Sequence, residues 1–185
     1  MKEKERNSAG EENETRTPHT ILVTEDDEGL MRLIRKNLQR AGFHTEGASN
    51  GAEAIDWVVN NLTALLLLDY RLPDMTGEQV IKTLAERQYN VPFVVITGQG
   101  DQKVAVEMMK LGARDYLVKD LAFLDLLPSV VRQVIGQLAI EKELAAAEET
   151  LRESEERNRI LVEVGGKAGL GILILQDTED REGVI

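Results

Sequence analysis

The stretch 64-ALLLLDYRLPDMTG-77 indicates the fold of this chain. Four leucines run without a polar break into Asp69, and a proline-containing turn then ends at Gly77. A continuous apolar run of this kind is typical of a strand that is buried on both faces of a sheet. The charge at its end therefore needs an explanation, and that explanation depends on what surrounds the strand.

Short apolar runs alternate with amphipathic segments from residue 20 onward. The runs predict five strands, at 20–24, 43–49, 63–69, 92–97 and 115–119. Helical spacing of apolar residues predicts helices at 28–42, 50–61, 76–88 and 101–111, with Asn50 as an N-cap and Gly42 and Gly112 at helix ends. This alternation predicts an α/β fold with a parallel sheet covered on both faces.

Charged and hydroxyl side chains lie at the predicted carboxyl ends of four strands. They are Glu25 and Asp26, Asp69, Thr97, and Lys119. Ligands of such sheets bind at the carboxyl ends of the strands, so we expect these side chains to meet. Three neighbouring carboxylates repel one another, which predicts either a proton held at a raised pKa or a divalent cation among them. Oxygen ligands favour Mg²⁺, and a lysine and a hydroxyl opposite them suit phosphoryl transfer.

The composition excludes several classes of function. The chain has 185 residues, a net charge of −11 and no cysteine. The negative charge argues against nucleic-acid binding, and the lack of cysteine excludes a disulfide framework and a thiolate nucleophile. No signal peptide and no membrane span are predicted, so we expect a soluble cytoplasmic protein. Residues 1–18 have almost no apolar side chains and are predicted to be a disordered tail.

Four motifs within residues 20–136 resemble the receiver domain of two-component response regulators. They are 21-ILVTEDDEG-29, 68-LDYRLPDMTG-77, 95-VITGQG-100 and 112-GARDYLVKD-120, in the order and at the spacing of that family. The resemblance implies a flavodoxin-like, doubly wound, five-stranded parallel sheet in the order 2-1-3-4-5, within a domain at 19–136. It also implies a module that is not itself an enzyme and that receives phosphoryl from a histidine kinase or a histidine phosphotransfer protein.

The resemblance implies a role for each residue at the strand ends. Asp69 matches the phosphoacceptor, and Glu25 and Asp26 match the acidic pair that binds Mg²⁺ with it. Arg71 matches the residue whose backbone carbonyl completes the protein's share of the metal shell. Asp27 matches the position after the metal pair and is not expected to be a ligand.

The remaining matches imply a switch. Thr97 matches the switch hydroxyl, Lys119 the lysine of the site, and Tyr116 the aromatic switch residue on the fifth strand. Phosphorylation of Asp69 is then expected to change the face formed by the fourth helix and the fifth strand, and to pass this change to the C-terminal helix.

Two residues depart from the family pattern. Most receivers have a proline after the lysine, usually with a cis bond, and this chain has Asp120 there. A non-proline cis bond costs about 3 kcal/mol, so the loop either contains that strain or is rebuilt around a trans bond. Arg71 is a long cation close to the site, from which we expect slower hydrolysis of an acyl phosphate.

The alternative function is an enzyme with an aspartyl-phosphate intermediate, such as a haloacid-dehalogenase-like phosphatase. That family resembles DxDx[TV] at its nucleophile. The corresponding stretch here is 69-DYRLP-73, with Arg71 where the second aspartate belongs, which argues against this alternative.

The segment that follows the domain predicts a helical connector at 137–164. Its heptad positions are Ile140, Leu144, Ala147, Leu151, Ser154, Asn158 and Leu161, which predict a parallel coiled-coil homodimer through 137–161. A solvated single helix is the alternative. Before the connector, segment 121–136 is predicted to contain a fifth helix, with Pro128 in its first turn. The ending, 151–185, resembles the entry of a PAS sensor domain, so 165–185 is interpreted as its truncated start.

Overall fold

The computed structural model describes residues 20–98 and 102–167. In these residues, five parallel strands form one sheet in the order β2-β1-β3-β4-β5. The strands are β1 Thr20–Thr24, β2 His44–Ala48, β3 Leu65–Asp69, β4 Phe93–Thr97 and β5 Asp115–Val118. The helices are α1 Glu28–Arg40, α2 Gly51–Asn60, α3 Gly77–Glu86, α4 Gln102–Lys110 and α5 Phe123–Lys167. The predicted flavodoxin-like sheet is confirmed, and each strand lies within its predicted run.

The middle of the sheet is fully buried, as the apolar runs predict. All five residues of β3 and all five of β4 are buried, and the four leucines of β3 have no exposed surface. Burial of one leucine side chain contributes about 2 kcal/mol, so this strand alone is a large part of the core. The polar strand β2 exposes His44, Glu46 and Gly47 and is the edge strand that its sequence predicts.

Polar side chains cap the first three helices at their N-termini. Asp27 accepts a hydrogen bond from the Leu30 N–H over 2.8 Å, and Asn50 accepts one from the Glu53 N–H over 2.9 Å. Thr76 forms a capping box at the start of α3. Asn50 is therefore the N-cap that was predicted, and the Asp27 carboxylate caps the N-terminus of α1.

Asp74 attaches the β3–α3 loop to the start of α2. Its carboxylate accepts hydrogen bonds from the backbone N–H groups of Gly51, over 2.8 Å, and Ala52, over 2.9 Å. Although partial burial acts to raise the pKa of Asp74, these backbone bonds outweigh it and lower the pKa below its ordinary 3.8. The fold therefore favours the charged form, and this contribution to stability is present above pH 3.8 and disappears as the pH falls below it.

Three helices end on a residue with positive φ, but only two of these residues are glycine. Gly42 and Gly112 follow α1 and α4 with φ of 93°, as their positions in the sequence predict. Gln88 follows α3 with φ of 64°. A left-handed conformation costs a non-glycine residue about 1–2 kcal/mol, so α3 ends with strain that the other two helices avoid.

Gln88→Gly is expected to stabilise the domain by about 0.5–1 kcal/mol, because glycine removes the strain but adds freedom to the unfolded chain. Thermal unfolding should then shift upward by about 2–4 °C. Gln88→Ala is the matched control, since it shortens the side chain but retains the strain, and it should give no gain. A Gln88→Gly variant that is no more stable than the wild type contradicts this account.

The last helix starts within the predicted segment 121–136, but it contains Pro128 deeper than predicted and runs beyond the predicted connector. α5 starts at Phe123, so Pro128 lies inside the helix, and the prediction that it lies in the first turn is wrong. Pro128 has no N–H to donate to the Leu124 carbonyl, so the helix lacks this hydrogen bond. The chain divides into two compact units between Gly136 and Gln137, and α5 ends at Lys167, three residues beyond the predicted connector.

Within the described residues, one helix passes the length and composition test for a membrane span, although none was expected. It is Phe123–Glu163, whose most apolar 18-residue window has a mean hydropathy of 1.3. Core helices pass the same test, and this one contributes Phe123, Leu127, Val131 and Val134 to the buried core. Only 22% of that window is buried, so packing of the first turns of α5 accounts for part of its apolar composition.

Candidate functional site

Three carboxylates meet at the carboxyl end of the sheet. Glu25 and Asp26 follow β1, and Asp69 ends the neighbouring strand β3, with Thr24 paired to Leu68 in the register. Each of the three side chains offers an oxygen that lies within 4.8 Å of the other two. Glu25 and Asp69 are buried and Asp26 is exposed, so the cluster has a buried floor and an open side.

Lys119 reaches this cluster from the end of β5. Its Nζ lies 2.6 Å from Asp69 Oδ2, 2.7 Å from Glu25 Oε2 and 3.0 Å from Glu25 Oε1. The lysine side chain is only 22% exposed, and the two carboxylate side chains are 7% and 1% exposed. One ammonium group thus forms ion pairs with two buried carboxylates that would otherwise repel each other.

The pKa values of this cluster shift in directions that follow from its burial. Burial raises the pKa of Glu25 above its usual range, even though the Lys119 ammonium acts to lower it. Burial also acts to lower the pKa of Lys119, but its hydrogen bonds to Asp69 and Glu25 outweigh that effect and raise it. Lys119 therefore carries its charge at neutral pH, whereas burial opposes a charge on Glu25.

The donor set fits a divalent cation of the Mg²⁺ type. The described cluster offers carboxylate oxygens alone, and its three carboxylates and one ammonium sum to a formal charge of −2. Glu25 Oε2 is fully buried and lies 2.7 Å from Nζ at an angle that does not make a hydrogen bond. Such an oxygen is a suitable ligand for a hard cation.

The loop after Asp69 orients its carboxylate. The Arg71 N–H donates to Asp69 Oδ1 over 3.2 Å, so each oxygen of the acid has a partner. The loop closes where the Gly77 N–H donates to the Tyr70 carbonyl over 2.8 Å. A Cβ at Gly77 would lie 3.2 Å from the Asp69 carbonyl oxygen, which explains the glycine at this close approach. The carbonyl of Arg71 as a metal ligand stays a prediction.

The predicted switch residues lie on the two strands beside the cluster. Thr97 is buried at the end of β4, and its carbonyl accepts the Lys119 N–H over 2.8 Å. Tyr116 is 45% exposed on β5. Because Val95 pairs with Tyr116 and Thr97 with Val118, Thr97 and Tyr116 face the same side of the sheet. Tyr116 thus lies on the Thr97 side of the sheet with nearly half of its surface exposed.

The Lys119–Asp120 peptide bond is trans. Of the two alternatives that the sequence left open, the rebuilt loop is the one observed. The Asp120 N–H donates to the Val118 carbonyl, and Asp120 Oδ1 accepts the Ala122 N–H. A proline at this position has neither group, so the departure from the family pattern is accompanied by a different set of contacts.

Comparison with known proteins agrees with this fold and site. The family described as the response regulator receiver domain matches residues 21–131, and the chain belongs to this family. It is the receiver domain of a two-component response regulator, a phosphoacceptor, and the haloacid-dehalogenase-like alternative has no support.

One curated relative is the transcriptional regulatory protein SrrA of Staphylococcus aureus. It is 38% identical over 99 residues, which are 54% of this chain and 41% of SrrA. The chain thus spans about two fifths of the length of the curated relatives that it matches.

Solved receiver structures share the fold. The receiver domain of the Francisella response regulator 1452 is 25% identical, with a TM-score of 0.59, over 64% of this chain and 98% of that one. A response regulator described as putative from Chloroflexus aurantiacus is 30% identical, with a TM-score of 0.58, over the same shares. The tail at 1–18 and the PAS-like strand lie outside the described residues, and no PAS domain is shown.

Lys119→Met should increase the affinity for Mg²⁺ by roughly tenfold, or about 1.4 kcal/mol, because the ammonium and a cation compete for the same oxygens. Isothermal titration calorimetry at neutral pH measures this affinity. Lys110→Met removes an exposed charge from the last turn of α4 and should leave the affinity unchanged. A weaker affinity in Lys119→Met would mean that the lysine supports the metal site instead of competing with it.

Proposed function

We propose that Asp69 is the residue that accepts the phosphoryl group, from a histidine kinase or a histidine phosphotransfer protein. The observation that supports this most strongly is the Lys119 ammonium between Asp69 and Glu25 at the end of a buried strand. It places a carboxylate nucleophile, a fixed positive charge and two further acids at one point of the surface.

The chemistry of the proposed step is a phosphoryl transfer between side chains. A carboxylate oxygen of Asp69 forms a bond to phosphorus as the bond between phosphorus and the donor imidazole nitrogen breaks, and the nitrogen retains the electron pair. Lys119 then has the phosphoryl oxygens as new partners, and Thr97 offers a hydroxyl at the neighbouring strand end. The proposed activity of the domain is limited to this transfer and to slow hydrolysis of the product.

The residues proposed to bind Mg²⁺ are Glu25, Asp26, Asp69 and the backbone carbonyl of Arg71. When bound, the cation neutralises charge on the carboxylates and the phosphoryl oxygens. Asp26 is exposed, so it lies on the side from which a cation and a phosphoryl group arrive. The backbone N–H of Arg71 donates to Asp69 Oδ1, so this residue lies next to the acid, and we propose that its cation slows hydrolysis of the acyl phosphate.

The rest of the proposal concerns the wider protein. We assign residues 1–18 to a tail, 19–136 to the receiver domain, 137–164 to a connector and 165–185 to the start of a PAS-like domain. The proposed location is the cytoplasm, where the family acts. SrrA is described as a transcriptional regulator, but this chain spans only part of it, and no output activity is transferred from it.

Wild-type protein is expected to gain one phosphoryl group from phosphoramidate or acetyl phosphate when Mg²⁺ is present. Intact-mass spectrometry with and without EDTA measures this gain. Asp69→Asn should not be labelled. Asp27→Asn is the matched control, because asparagine also caps a helix and the change removes a neighbouring acid outside the cluster. Labelling of Asp69→Asn to the same extent as the wild type, or full labelling of the wild type in EDTA, would contradict the proposal.

Tyr116 is expected to turn inward when the site is filled. Thr97 and Lys119 move toward the added negative charge, which leaves space on the face that Tyr116 shares with Thr97. Beryllofluoride with Mg²⁺ mimics the acyl phosphate, and fluorine NMR of the fluorotyrosine-labelled protein reports on its three tyrosines. The Tyr116 signal should shift, the Tyr89 signal should not, and Thr97→Ala should abolish the shift.

An unchanged Tyr116 signal, with amide shifts confined to the acidic cluster, would indicate a passive phosphate acceptor. In that case phosphorylation does not change the conformation of β5 and α4.

We also propose that the connector forms a parallel homodimer through residues 137–161. Ile140, Leu144, Leu151 and Leu161 each expose at least 59% of their surface in the single chain, so no described residue covers them. They lie at heptad spacing, and Ala147, Ser154 and Asn158 weaken the same seam. A weak seam leaves two registers close in free energy, which phosphorylation is then able to shift.

Analytical ultracentrifugation at tens of micromolar protein tests this dimer. The wild type should sediment as a dimer and Leu144→Glu/Leu151→Glu as a monomer. Ala145→Glu/Ala146→Glu adds the same two charges outside the seam and should remain a dimer. If the wild type is a monomer with and without beryllofluoride, the connector is a spacer.

A further inference from the structure

Two consecutive turns of the β5–α5 loop meet at Asp120. The Asp120 N–H donates to the Val118 carbonyl over 2.8 Å, which makes a γ-turn with Lys119 at its centre. Among the described non-glycine residues, positive φ occurs at Gln88 and not at Lys119, so this turn is the common inverse γ-turn.

The second turn uses the side chain of Asp120. Its Oδ1 accepts the Ala122 N–H over 2.9 Å, and its carbonyl accepts the Phe123 N–H over 3.3 Å. Phe123 is the first residue of α5 and is only 3% exposed, so it anchors this end of the loop in the core. The backbone carbonyl of Asp120 thus joins the turn at Lys119 to this buried residue, and its side chain braces the same turn through the Ala122 N–H.

The direction of the Lys119 side chain depends on this arrangement. Lysine has a flexible four-carbon stem, and its fixation costs up to about 2 kcal/mol of side-chain entropy. The Lys119 backbone is held on one side by the bond from its N–H to the Thr97 carbonyl, and on the other by the γ-turn. With the backbone fixed on both sides, Nζ lies 2.6 Å from Asp69 Oδ2.

We propose that Asp120 is a positioning residue for Lys119. This inference rests on the phosphoacceptor function proposed above and adds a residue that does not touch the reacting atoms. Asp120 orients the lysine through the two turns and with a trans peptide bond, a solution that the usual proline does not allow because it lacks both the N–H and the carboxylate.

Two substitutions at Asp120 test the proposal. Asp120→Ala removes the acceptor for the Ala122 N–H, whereas Asp120→Asn removes the charge but retains an acceptor oxygen. The rate constant of labelling by phosphoramidate at saturating Mg²⁺ should fall about fivefold in Asp120→Ala, the factor that corresponds to one hydrogen bond. Asp120→Asn should stay within about twofold of the wild type, since its amide oxygen also accepts such a bond.

Mg²⁺ affinity separates positioning from general damage. If Lys119 moves away from the carboxylates, Asp120→Ala should bind Mg²⁺ more tightly while it is labelled more slowly. A variant that is merely destabilised should lose both properties. In a Lys119→Met background, Asp120→Ala should cause no further change in labelling rate or in Mg²⁺ affinity.

The outcomes distinguish this inference from the function on which it rests. A wild type that is not labelled at all overturns the phosphoacceptor assignment of Asp69. If the wild type is labelled, three results would contradict the role of Asp120 while leaving the assignment of Asp69 intact. The first is labelling of Asp120→Ala at the wild-type rate, and the second is labelling of Asp120→Asn as slow as that of Asp120→Ala. The third is slower labelling caused by Asp120→Ala in the Lys119→Met background.

Discussion

One ammonium group between two buried carboxylates is the interaction on which the carboxyl end of the sheet depends. Lys119 lies within 2.7 Å of both Glu25 and Asp69, and these acids come from neighbouring strands. Two unpaired charges at this depth would each cost several kcal/mol. The lysine offsets part of that cost, while burial still raises the pKa of Glu25 above its ordinary value. The cluster keeps a formal charge of −2, which suits a divalent cation.

Strands bring these groups together, but loops orient them. The buried strands β3 and β4 have no charge within their apolar runs, so the charged and hydroxyl groups of the site lie where the strands leave the core. Asp74 attaches the loop after Asp69 to α2, and Asp120 organises the loop after Lys119. Each contact uses backbone N–H groups at the start of a helix or turn. The chemistry of the site thus depends on how neighbouring helices begin.

The long helix α5 combines two different surfaces in one element. Its first turns bury Phe123, Leu127, Val131 and Val134 in the core of the receiver domain. Its later residues expose leucines at heptad spacing, and the family match ends at residue 131, before them. The apolar side chains of one helix therefore serve packing in one part and remain uncovered in the other, which is why composition alone also resembles a membrane span.

The sequence by itself determined the strands, most helix boundaries and the kinds of residue at the strand ends, because these depend on local signals. Apolar runs set β3 and β4, Asn50 caps α2, and Gly42 and Gly112 end their helices. Tertiary structure decided how the site is assembled, since its contacts join distant positions. Lys119 lies 50 residues from Asp69 and 94 from Glu25 in the chain, and Asp74 binds α2 from 23 residues away. The position of Pro128 inside α5 also depends on packing that no short stretch of sequence encodes.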